Sequence, residues 1–135
     1  MLDVYLHRAA LLTLALLFGG MLLFSASFAA FLFRHLQPQE ARRLIRQAFL
    51  PFYLFVIVSS CLAGLLAARA DALTAAWMVV VMASAVVARQ GLMPAINRAT
   101  DEGHTVRFRW LHGVSVLLTL GHIVIAACLL VHMSP

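Results

Sequence analysis

A chain of 135 residues that is 64% hydrophobic and 11% charged has too little polar surface to cover a core in water, which excludes a soluble globular domain. All ten cations are arginine, the acids number five and the net charge is +5. The arginines sit in short segments between apolar runs without a recognisable nucleic-acid module, which excludes a nucleic-acid binder and makes the charge a topology signal.

Uncharged stretches run over residues 9–33, 47–68, 72–88 and 110–131. About 20 apolar residues cross a hydrocarbon core of about 30 Å, and the third stretch reaches that length if its helix continues past Arg89 toward Met93. Backbone in lipid must satisfy its own hydrogen bonds, so all four are expected to be helices. The expected fold class is all-α: an integral membrane antiparallel four-helix bundle, up-down-up-down, forming one domain over residues 1–135. Its spans are about 8–34, 46–69, 71–93 and 108–132.

In the first span, Ser27-Phe28-Ala29 resembles a signal-peptide cleavage site, but Phe31, Leu32 and Phe33 carry the apolar pattern beyond it, so a retained helix is expected. Gln37-Pro38-Gln39-Glu40 reads as a turn into an arginine-rich helix start, with Glu40 favourable near a helix N-terminus. Span two carries Pro51 and gives way to span three almost at once, around Arg69, Ala70 and Asp71. Pro94 follows near the end of span three, and Asn97 to His104 reads as a polar connection. Small residues at four-residue spacing (Ala15 and Gly19; Ser60, Gly64 and Ala68; Ser84 and Ala88) predict close helix packing.

Eight arginines fall on the connections between spans one and two and around the third connection, and Arg8 and Arg69 fall on the other side. That bias predicts a multi-pass protein of a bacterial inner membrane with both termini outside the cytoplasm. Tyr5 and Trp77 then mark the outer interface and Trp110 the inner one.

The six histidines are the candidate chemical groups. His7 and His132 belong near the outer helix ends, His35, His104 and His112 near the inner surface, and His122 near the middle of span four. Polar residues at membrane depth are costly and face the bundle interior. His112, Ser115, Thr119 and His122 follow three- and four-residue steps, a polar stripe on one helix face. A buried imidazole there either hydrogen-bonds to a neighbouring helix or ligates a cofactor. For haem b the axial sets are His122 with an unidentified partner, His7 with His132, or His35 with His112; the absence of a Cys-x-x-Cys-His run excludes c-type attachment. Cys61, Met82 and His122 lie at similar depth on three helices and offer an alternative copper site. Cys61 and Cys128 differ in depth and are expected to be unpaired. No acid falls inside a span, which weighs against a simple ion-coupled transporter.

Gly19-Gly20-Met21, Pro51-Phe52-Tyr53, Leu92-Met93-Pro94-Ala95-Ile96-Asn97 and Leu111-His112-Gly113-Val114-Ser115 resemble a family of small four-span membrane proteins of unknown function. That family looks related to the copper-resistance D-like superfamily. Where related sequences often carry asparagine a turn after the serine, this chain has Thr119. The resemblance implies haem or copper as the cofactor class. The leading expectation is therefore a membrane protein that binds b-type haem through bundle histidines for electron transfer or haem handling. Copper handling is one alternative, and a noncatalytic assembly subunit is the other, with small-residue faces that bind a homo-oligomer or a larger complex in the bilayer.

Overall fold

The structure, a computed structural model, describes residues 1–134. Four helices account for nearly all of them: α1 (Leu2–His35), α2 (Pro38–Ala67), α3 (Ala72–Asp101) and α4 (Thr105–Met133). No strand occurs among the described residues. Each helix is long and apolar enough to cross a membrane. Leu12, Leu65, Leu117 and Val131 are 72%, 72%, 71% and 78% exposed on the outside of the bundle, a surface that lipid covers without cost and water does not. The chain is an all-α, multi-pass membrane bundle.

The connections explain the antiparallel order. Only Leu36 and Gln37 separate α1 from α2, and Pro38 opens α2 at a position where its missing N–H has no partner to lose. At the next turn Asp71 caps α3: its carboxylate accepts from the Thr74 amide at 3.1 Å and from the Thr74 hydroxyl at 2.7 Å. Between α3 and α4 the connection is shorter than the polar run from Asn97 to His104 predicts. Met93, Ile96 and Ala99 bury one face of α3 and carry it on to Asp101, so the chain reverses at Glu102–His104, where Gly103 takes a left-handed φ of 70°. Arg46 ties this extension to α2, donating to the Asn97 side chain at 2.9 Å, the Asn97 carbonyl at 3.0 Å and Asp101 at 2.9 Å.

α2 lies between α1 and α3, and α4 closes the ring against α1 and against α3, where it meets mainly Met93–Asp101. Leu14, Leu17 and Met21 of α1, Tyr53 and Val56 of α2, and Met78 and Val81 of α3 are fully buried at its centre. The small residues divide into two groups. Ser60 is buried and Gly64 meets α3, where a Cβ on Gly64 would lie 3.1 Å from the Met78 Cβ, which is the close packing expected. Ala15 and Gly19 instead face outward, and a Cβ on Gly19 would meet nothing within 4 Å; the buried face of α1 runs through Ala10, Leu14, Leu17 and Met21 on its other side.

Two π-helical turns interrupt the ladders, at Phe24–Phe28 of α1 and Ala88–Leu92 of α3, both in the arginine-rich half. The second has a covalent reason. Pro94 supplies no N–H to the Gln90 carbonyl and its ring crowds that oxygen, so the backbone widens over the preceding turn. At the first, the wider turn accompanies stacking of Phe24 on Phe52 of α2, with ring centroids 4.2 Å apart.

Candidate functional site

The polar stripe of α4 turns inward over most of its length. Ser115 and His122 are buried and Thr119 is half-buried, while His112 is exposed. Two neighbours meet this stripe. The Ser84 hydroxyl of α3 lies 2.8 Å from His122 Nε2, and the Tyr53 hydroxyl of α2 lies 3.4 Å from the Ser115 hydroxyl. Thr119 donates to the Ser115 carbonyl at 3.0 Å. Ser84 also reaches the Val80 and Val81 carbonyls, at 2.8 and 3.1 Å. A hydroxyl has one proton; with it on a Val carbonyl, His122 Nε2–H donates to Ser84 Oγ and all three groups are satisfied. This array holds α2, α3 and α4 together through hydrogen bonds inside an apolar medium.

The other histidines lie at the ends. His7 bonds through Nε2 to the Met133 carbonyl at 3.1 Å, one residue from His132, so α1 and α4 do meet where the depth argument expects. The His132 ring, however, pairs with Asp71 at 3.2 Å. The His35 ring packs at a tilt against Phe31 and His112 stacks on Phe108, each within its own helix. Cys61 and Cys128 are free and exposed, Met82 is half-buried and His122 is enclosed, and no cluster of three or more histidine, cysteine or acidic side chains poised for a metal occurs among the described residues.

Asp71, at the turn outside the spans, has a displaced protonation equilibrium. Burial alone would raise its pKa. The Thr74 hydroxyl and amide, the charge of His132 and the Leu73 amide together outweigh that and hold the carboxyl below its ordinary value. The ionised form therefore stabilises the fold above the ordinary value of 3.8, and that contribution disappears as pH falls through the lower folded value. Replacing Asp71 by Ala should cost about 1 kcal/mol near neutrality, the loss of a helix cap. Melting curves of the two proteins should converge in strong acid; a constant difference at all pH values would contradict this role.

A further feature emerges from packing. Between α1 and α2, in the arginine-rich half, an open groove of about 660 Å³ faces the surroundings of the bundle. Phe24, Phe28 and Phe31 line it from α1, and Phe52 and Phe55 from α2, with Gly20, Ser27 and Ala48 as the small residues among them. Gly20 lets the Phe55 ring of that lining approach α1, since a Cβ there would sit 2.6 Å from it. The sequence signal for the groove was present: Phe24, Phe28 and Phe31 on one helix and Phe49, Phe52 and Phe55 on the next are six of nine phenylalanines, at helical spacing. Only the pairing of α1 with α2 turns those two stripes into one wall.

Residues 12–105 match a family model described as a domain of unknown function, DUF4149. No curated protein and no solved structure matches the chain. The whole groove lies inside the matched segment, and His122 lies beyond it.

Proposed function

We propose a lipid-binding function for this protein, which belongs to the DUF4149 family: the α1–α2 groove holds the hydrocarbon chain of a membrane lipid against its phenylalanine wall. The observation that carries this reading is the groove's chemistry. It opens sideways from a membrane bundle, five phenylalanines line it, and Ser27 is the one polar side chain in it. Such a wall attracts a flexible chain by dispersion contact, and it lacks the convergent polar groups that orient a polar ligand. Eight arginines toward one end of the bundle and two toward the other support a cytoplasmic arginine-rich end in a bacterial plasma membrane, and on that reading the lipid is drawn from the inner leaflet.

Ala48 lines the groove and is half-buried, so a larger side chain there fills the groove without entering the bundle centre. Wild-type protein in mild detergent should retain lipid, seen as mass adducts by native mass spectrometry, and Ala48→Trp should lose most of them with unchanged helix content. Equal adducts on both proteins would contradict the proposal.

His122 supports a second reading, ligation of b-type haem, because it is an enclosed imidazole well inside a membrane helix; copper through Cys61, Met82 and His122 is its companion. A Soret band that disappears in His122→Ala would favour haem, and copper retained after loading and washing would favour the metal.

A further inference from the structure

We infer that the groove selects a phospholipid with an anionic headgroup, recognised by Arg34 at its arginine-rich end. This rests on the lipid-binding reading and adds the chemical class of the ligand. The groove face of α1 steps through Gly20, Phe24, Ser27 and Phe31, at three- and four-residue intervals. The next step along that face brings Arg34 and His35. The wall is continuous to that point: the His35 ring packs at a tilt against Phe31 with centroids 4.6 Å apart. A chain lying in the groove thus leaves its headgroup beside Arg34.

Charge decides which headgroup suits this end. Arg34 is exposed and takes part in none of the ion pairs among the described residues. Arg46 is not available, because Asp101 and Asn97 hold it on the α3 side. Arg42 and Arg43 lie exposed near the start of α2, and Glu40 is the single carboxylate on this connection. Around the α1–α2 connection the balance is therefore three guanidinium groups outside these ion pairs to one acid. A guanidinium binds phosphate oxygens with two parallel N–H donors, and a headgroup without its own ammonium leaves that phosphate uncompensated.

The test offers the protein equal amounts of phosphatidylglycerol and phosphatidylcholine with identical chains and counts bound lipids by native mass spectrometry. Wild type should favour the anionic lipid, with about fivefold of that preference due to Arg34, a value that corresponds to about 1 kcal/mol per arginine near an anionic surface. Arg34→Gln should bring the ratio down by about that factor while total bound lipid stays constant, and Arg34→Lys should keep most of the preference. Equal retention of the two lipids by wild type, or an unchanged ratio in Arg34→Gln, overturns the inference alone. Failure of wild type to retain either lipid, or full retention by Ala48→Trp, overturns the groove reading and this inference with it.

Discussion

Gly64→Leu should weaken the bundle by about 1–3 kcal/mol, although leucine is the better helix former by most of 1 kcal/mol. The reason is the immovable partner. A Cβ at position 64 would lie 3.1 Å from the Met78 Cβ, and that atom is fixed to the backbone of a residue with no exposure at all. The rest of a leucine can be housed only by moving α2 away from α3, and α2 is the helix that both α1 and α3 pack against. Gly19→Leu is the control. Nothing lies within 4 Å of its Cβ, so only the propensity gain remains and the melt should be unchanged or slightly higher. Gly20→Leu should fall between them, because the atoms it meets are the far end of the Phe55 ring, which can swing toward the open groove. Thermal melts in detergent read all three; equal stability of the Gly64 and Gly19 variants would contradict the packing described for α2 and α3.

The second large effect is an asymmetry within one hydrogen bond. Ser84→Ala should cost about 1–2 kcal/mol, because it leaves the enclosed His122 facing an apolar interior with no side-chain partner. His122→Phe should cost less than about 1 kcal/mol. It keeps most of the volume, and Ser84 retains the Val80 and Val81 carbonyls as acceptors, so no polar group is orphaned. His122→Ala should cost about 2–4 kcal/mol through the cavity it opens. Equal penalties for Ser84→Ala and His122→Phe, measured by unfolding in mixed micelles, would show that the bond itself, rather than the stranded imidazole, carries the energy.

Much of this architecture is legible in the chain because the membrane imposes a simple rule. Uncharged runs of spanning length must be helices, and arginines between them mark the reversals, so the four helices and their antiparallel order follow from composition and spacing. The inward turn of Ser115, Thr119 and His122 follows from three- and four-residue steps for the same reason. What is not legible depends on which helix faces which. Ala15 and Gly19 have the spacing of a packing face, yet lie outside, because Ala10, Leu14, Leu17 and Met21 claim the interior of α1. Depth alone pairs His35 with His112, but it says nothing of azimuth, and each ring rests on a phenylalanine of its own helix. The groove is the largest such gap: it exists only because α1 and α2 set two phenylalanine stripes side by side, and because Gly20 lets Phe55 approach.

Photo-crosslinking reads out whether a lipid chain occupies this groove. A phospholipid carrying a diazirine along its acyl chain is incorporated with the wild-type protein, activated by light, and its adducts are located by peptide mass spectrometry. Adducts should concentrate on Phe24–Phe31 of α1 and Ala48–Phe55 of α2 and should fall sharply in Ala48→Trp. Adducts spread evenly over the outward faces of all four helices, unchanged by Ala48→Trp, would contradict that occupancy.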